Sequence, residues 1–284
     1  MTHLLVFTPT YADKLNPLTV KSVVGQRFAG RMTWEIGRHN PHPKPGNANV
    51  TAQYQQAREI FLRGDYAALL TIEHDMIVPP DAAQKLWETP ADVVYAPYML
   101  RHGSHVLSTW QYNGDRNLGM SLSMYPKELA QLRQAGAGRV SGVGHGCTLM
   151  RRVVVERFPF RSTDDSSPDI PFATDCLRAG VVQMARFDVP CGHADDERGG
   201  VILEVNNTTS AGDLVNVIGL VDVVANVDGQ AKRLYPNKTY KLPKETATEL
   251  ARAGYVRVVV EDVPPVVVET AVNPVAERRN KRGA

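Results

Sequence analysis

Residues 70–80 read Leu70-Thr71-Ile72-Glu73-His74-Asp75-Met76-Ile77-Val78-Pro79-Pro80. Together with Tyr66-Ala67-Ala68-Leu69, the stretch up to Ile72 is an almost unbroken apolar run, which fits a strand covered on both faces. It ends in two carboxylates, Glu73 and Asp75, and open α/β sheets bind their ligands at the carboxyl ends of their strands. Residues i and i+2 of an extended segment share a face, so the two carboxylates are expected to converge on one ion. His74, alternating away from them, is expected to pack. Hard oxygen ligands suit Mg2+ or Mn2+, and such an ion neutralises a diphosphate leaving group. The fragment alone reads equally as a solvated strand end.

Outward from this strand, helix and strand signals alternate. Leu4–Pro9 is a short apolar run stopped by a proline, and Leu18, Val20 and Val24 are spaced for one helical face. A second strand over Trp34–Asn40 enters a loop rich in Pro, Gly and Asn. A helix from about Thr51 to Arg63 stops at Gly64, and another opens at Pro79–Asp81 before a strand near Asp92–Met99. This alternation predicts an α/β fold, a mixed but mainly parallel sheet with helices on both faces. Between Gly103 and Gly138 the pattern is irregular, with a hairpin and a short helix expected. Residues 140–160 read as loop, strand and helix; 170–180 have helical spacing and 181–193 return as a strand. Past Asn206 the chain turns Val-rich, with Asp-Gly and Pro-Asn turns. The expected division is a main domain over 1–205, a small β-rich unit over 206–262, and a flexible Pro-punctuated tail over 263–284.

The 284 residues are 43% hydrophobic and 22% charged, which excludes wholesale disorder. A net charge of +2 announces no broad nucleic-acid surface. No apolar run approaches the ~20 residues of a membrane span. The opening MTHLLVFTPTY lacks a basic leader and reads as a first strand. Cys147, Cys176 and Cys191 are odd in number and widely spaced, so reduced thiols and a cytoplasmic location are expected.

Several polar residues invite a chemical reading beside a structural one. Asp169 follows a polar loop and precedes a helix, where it can face a cleft as a general base or simply cap the helix. Asp175, six residues on, does not share its helical face, and Asp164 and Asp165 read as solvated loop charges. His193 ends a predicted strand beside further carboxylates; Cys191 next to it lacks the second cysteine pair that zinc would ask for. Gly142–Gly146, GVGHG, is neither a P-loop nor a Rossmann fingerprint. It reads as a turn or as a close backbone approach to a ligand, with His145 near the cleft. Trp110 and Tyr112 suit a sugar-stacking platform or the core.

Ile72–Ala83, IEHDMIVPPDAA, resembles the acidic metal-binding segment of GT-A-fold glycosyltransferases of the family-2-like, inverting branch. Three further stretches resemble that family in the right order: LLVFTPTY at the first strand, VSGVGHGCTLMRRVVVERFPF, and PDIPFATDCLRAGV, where Asp169, Phe172 and Gly180 keep the spacing. FDVPCGH resembles the strand that often ends in a metal-binding histidine. The first acidic position is Glu73 in place of the commoner Asp, the expected Glu before Asp169 is Pro168, and Gln55 and Gln56 stand where an Arg-Asn pair is usual.

The resemblance implies a GT-A-like domain that moves a sugar from a nucleotide-sugar, expected to be a UDP-sugar, to an acceptor hydroxyl with inversion. Thr8, Pro9, Thr10 and Tyr11 would lie by the base and ribose, with Arg38 and Asn40. Glu73, Asp75 and His193 would hold Mn2+ or Mg2+ at the diphosphate, and Asp169 would be the base. Tyr235–Gly254 resembles small modules fused to phage proteins, which implies a phage source and an oligomerisation or docking role, with a glycan, a modified DNA base or a protein as acceptor. Two other classes stay open: nucleotidyl or phosphoryl transfer on the same metal site, and a non-catalytic sugar-binding module.

Overall fold

A computed structural model describes residues 1–10, 13–43, 46–100, 106–163, 166–194, 201–204, 214–227, 230–252 and 254–259. In chain order the elements are β1 (His3–Pro9), α1 (Pro17–Val24), β2 (Arg31–Gly37), α2 (Asn47–Arg63), β3 (Ala68–Ile72), β4 (Met76–Ile77), α3 (Ala82–Glu88), β5 (Val93–Tyr95) and β6 (Thr109–Gln111). There follow α4 (Pro126–Ala135), β7 (Ala137–Val143), β8 (Cys147–Arg151), α5 (Arg152–Arg157), α6 (Asp169–Arg178), β9 (Gln183–Arg186) and β10 (Gly192–Ala194). The remainder is β11 (Val201–Glu204), β12 (Leu214–Gly219), β13 (Val223–Val227), β14 (Gln230–Leu234), β15 (Thr239–Pro243), α7 (Lys244–Arg252) and β16 (Val256–Val258).

The main sheet has eight strands in the order β2-β1-β3-β8-β5-β9-β7-β6. Only β7 and β8 run against the rest, so the sheet is mixed and mainly parallel, as expected. The two-residue period of the strands sorts its side chains into two cores. Leu5, Phe7, Leu69, Tyr95 and Met150 face one way and are covered by Tyr54 and Phe61 of α2, Val154 of α5 and Phe172 of α6. Leu4, Val6, Leu70, Ile72 and Leu149 face the other way, under Val23 of α1 and Leu86 of α3. All five residues of β3 are buried, which explains its unbroken apolar sequence. The stretch 137–143, expected as part of a loop, is strand β7. Its partners are β9 on one side and β6 on the other, and the expected hairpin is reduced to a Trp110–Ser121 bridge.

A five-stranded sheet, β14-β13-β11-β10-β4, joins strands that precede residue 205 to strands that follow it. The expected division at 205/206 lies outside the described residues, as does the 263–284 tail. A third sheet, β15-β12-β16, carries α7, and its apolar face shares one core with Ile77 and Ala194. All three cysteines are free and buried. Among the described residues no helix is long and apolar enough to cross a membrane.

Candidate active site

β1, β2, β3 and β5 point the same way, so Thr10, Arg38, Glu73 and Tyr98 all follow the carboxyl ends of strands at one edge of the sheet. Strand β3 stops at Ile72. Residues 73–76 then form a tight turn in which Met76 N–H donates to the Glu73 carbonyl at 3.0 Å. The turn breaks the period of two, so the convergence expected from an extended Glu73–Asp75 segment does not arise from the pleat. Glu73 accepts a hydrogen bond from Tyr54 Oη at 2.8 Å. Asp75 is buried and faces His193, whose Nε2 lies 3.4 Å from Oδ2. His74, expected to pack away, instead brings Nε2 to 3.7 Å from the same oxygen, because a turn does not alternate its side chains as a strand does.

His193 is held from behind. Its Nδ1 lies 2.9 Å from the Met99 carbonyl, which can only accept, so Nδ1 carries the proton. Tyr98 meets the ring edge-on at 5.2 Å. The antiparallel pairing of β10 with β4 sets His193 opposite Met76, one residue beyond Asp75. Tyr255 buttresses this pair: its Oη donates to the Ile77 carbonyl at 3.4 Å and occupies the space a Gly192 side chain would take. Held this way, Nε2 is the ring nitrogen turned toward the Asp75 carboxylate, and a backbone carbonyl on the other ring nitrogen is a brace that metal-bound histidines commonly have. Among the described residues no three His, Cys, Asp or Glu side chains gather closely enough to hold a metal ion. Asp75 and His193 face each other as a pair, and Glu73 is hydrogen-bonded to Tyr54 instead.

Asp169 is the first residue of α6. Its Oδ1 accepts from Ser167 Oγ and from Ile170 N–H at 3.0 Å, while Pro168 holds the N-cap position. Oδ2 stands 3.4 Å from the point where a Gly144 Cβ would be, and Tyr98 Oη 2.3 Å from the same point. Only glycine leaves room there for the tyrosine, which gives the GVGHG stretch its packing reason. Asp175 points elsewhere, into a two-pronged ion pair with Arg161 at 2.7 and 2.9 Å.

His145 is buried against Tyr54, Phe160 and Phe172, with ring centroids 5.0–5.7 Å away. Neither of its ring nitrogens has a hydrogen-bond partner. Burial pushes its pKa down to about 4, against the opposing pull of Asp169. Burial and the nearby Glu73 and Asp169 carboxylates raise the Tyr54 and Tyr98 phenols well above their ordinary range, so both are neutral donors.

At the end of β1, Thr8 is buried and its hydroxyl accepts from Trp34 Nε1 at 3.0 Å; Pro9 and Thr10 are buried too. Gln53, a residue with no motif to mark it, fixes this loop. Its side-chain amide accepts from Thr10 N–H at 2.6 Å, and donates to the Thr10 carbonyl and to Asn40 Oδ1, both at 2.8 Å. Gln55, by contrast, reaches the Phe160 carbonyl. Arg38 is exposed, and Tyr11 lies outside the described residues. Tyr112 carries the Arg139 guanidinium 3.8 Å over its ring, and Trp110 is half-buried.

No protein-family model matches the chain, and no curated protein sequence does. Similar solved structures include A197 from STIV, at 18% identity and a TM-score of 0.47, covering 74% of this chain and 97% of that one. A CMP:2-keto-3-deoxy-manno-octonic acid synthetase complexed with CTP matches at 12% identity and 0.38, over 65% and 89%. The inositol-1-phosphate CTP transferase from T. maritima matches at 12% and 0.39, over 69% and 89%. Likeness at this level carries no chemistry to the present chain.

Proposed function

We propose that this chain is a metal-dependent inverting glycosyltransferase. It moves a sugar from a nucleotide-sugar, a UDP-sugar in the first instance, to an acceptor hydroxyl. The observation that carries the reading is the buried Asp75–His193 pair at a strand's carboxyl edge, its imidazole oriented by the Met99 carbonyl. Asp75 and His193 would hold Mn2+ or Mg2+, with Glu73 beside them and the diphosphate supplying further oxygens, since such ions commonly keep few protein ligands. The ion's contribution when bound is to neutralise the charge that develops on the departing diphosphate.

The protein's own work is positioning and proton transfer. Asp169 presents Oδ2 beside Gly144 and takes the proton of the acceptor hydroxyl as that oxygen attacks. Tyr98, a neutral phenol, stands beside it as a hydrogen-bond donor. Arg38, exposed after β2, is a cation available to the nucleotide. Thr10 and Asn40, braced by Gln53, shape the wall on that side.

A screen of nucleotide-sugars, read by nucleotide release with Mn2+ and with chelator, tests the proposal. The expected product is a nucleoside diphosphate formed only with metal. Release of pyrophosphate from a nucleoside triphosphate would move the assignment to nucleotidyl transfer, and full activity in EDTA would remove the metal from it.

A further inference from the structure

A cavity of about 220 Å³ lies between α1, β4 with the segment that follows it, and the C-terminal β unit. Its walls are Leu18 of α1, Ile77 and Val78 beyond Asp75, and Val221 and Tyr255 of the C-terminal unit. Two of its lining residues are glycines: Gly254 has φ +80° and nothing within 4 Å of its Cβ position, and Gly25 caps the C-terminus of α1. Several polar groups around it are engaged. Ser22 Oγ donates to the Thr19 carbonyl at 2.9 Å, Arg27 N–H to the Pro80 carbonyl at 2.7 Å, and Tyr255 Oη to the Ile77 carbonyl. The interior therefore offers water few partners, and an apolar cavity of ~150 Å³ is already large enough to take benzene.

The mouth has a different chemistry. Lys21, exposed on α1, is the only charged residue lining the cavity among the described residues. Val24 and Leu220, next along the chain to the lining residues Gly25 and Val221, are 72% and 48% exposed. An apolar interior with a single exposed lysine in its lining matches one kind of molecule, a small amphiphile with an anionic head.

We propose that this cavity binds a small free anionic amphiphile, its apolar body among Leu18, Ile77, Val78 and Tyr255 and its carboxylate against Lys21. The site has a direct mechanical link to the Asp75 turn. The His74 carbonyl accepts from Asn16 N–H at 2.9 Å and from Thr19 Oγ1 at 3.0 Å, so α1 is tied to that turn. Ile77 and Val78, which the ligand would touch, continue the same segment. An occupant therefore braces α1, the β4–β10 pair and Tyr255 against one another.

Octanoate and 1-octanol, an acid and an alcohol with the same chain length, are the probes for calorimetric titration of the full-length protein. Octanoate is expected to bind saturably at one site. Val221→Trp, which fills the cavity, should weaken it by about tenfold or more. Ser22→Phe fills it from the α1 side and serves the same purpose if the tryptophan variant fails to fold. Lys21→Glu should weaken octanoate by about fivefold while leaving 1-octanol unchanged. Octanoate binding that is absent, or indifferent to both filling variants, overturns the site. Equal loss of octanoate and octanol in Lys21→Glu overturns the assigned head group. Binding to vesicles of anionic phospholipid that survives both filling variants assigns the exposed Val24 and Leu220 to a membrane surface instead. None of these outcomes depends on glycosyl transfer.

Discussion

Arg161 grips Asp175, its Nη2 lying 2.7 Å from Oδ1 and 2.9 Å from Oδ2, with Nε 3.2 Å from Oδ2. Six residues earlier on the same helix, Asp169 keeps Oδ2 against the glycine backbone at Gly144. The two aspartates of one helix thus have different fates: one is consumed in an ion pair on the surface and the other faces the site.

Asp169→Asn is accordingly expected to lower turnover by roughly 10²–10⁴-fold, the usual range for loss of a general base, with donor affinity nearly unchanged. Asp175→Asn removes a partly exposed ion pair worth about 0.2–1 kcal/mol and should leave turnover within a few-fold. Steady-state kinetics on both variants decide the assignment; a crippled Asp175→Asn with a mild Asp169→Asn would transfer the base to Asp175.

Metal binding should follow the Asp75–His193 pair. Asp75→Ala is expected to abolish Mn2+-dependent binding of UDP in calorimetric titration. Met99 offers only its carbonyl to His193, so no side-chain change removes that brace. His193→Gln, which replaces the imidazole with a weaker ligand, should lower metal affinity. Metal-dependent UDP binding that survives both substitutions would place the ion elsewhere.

His145 gives a pH signature. An unfolded histidine titrates near pH 6.5, whereas burial holds this one at about 4. Between those values the unfolded chain binds the extra proton and the folded chain does not, so stability falls as pH drops from about 6.5 to about 4. The expected loss is about 3 kcal/mol across that window. Phenylalanine fits the aromatic surroundings and removes both unpartnered nitrogens. In His145→Phe this part of the acid destabilisation should disappear, and the midpoint in urea near pH 7 should rise. Identical pH profiles for the two proteins would contradict the assignment.

Gln53 carries the loop at the end of β1 through three hydrogen bonds. Gln53→Leu keeps the volume but leaves the buried Thr10 N–H and carbonyl unmet, at a cost of about 1–3 kcal/mol per group. A drop in unfolding free energy of that order, with weaker UDP binding, is expected by urea titration and calorimetry. An unchanged stability would mean that water replaces the amide without loss.

Much of the frame is legible in the residues. The unbroken apolar run 68–72, the stops at Pro9 and Gly64, and the alternation of periods give the α/β sheet because each is a local consequence of burial on one or two faces. The pairing of Asp75 with His193 needs long-range register between β4 and β10, and only the resemblance pointed to it. The pleat argument for Glu73 and Asp75 failed because it assumed that the strand continued past Ile72, whereas a hydrogen-bonded turn begins at Glu73. Gln53 and Tyr255 were illegible for a related reason. A glutamine on an amphipathic helix and a tyrosine in a β unit acquire their roles only from backbone groups 43 and 178 residues away.

The central claim is that a sugar leaves a nucleoside diphosphate and is attacked from the opposite face by an oxygen that Asp169 deprotonates. The most direct measurement is proton NMR of the anomeric signal during turnover of an α-linked UDP-sugar with Mg2+. The account predicts a β-configured product appearing in step with UDP and absent from the Asp169→Asn reaction. An α-configured product, or release of UMP in place of UDP, would contradict it.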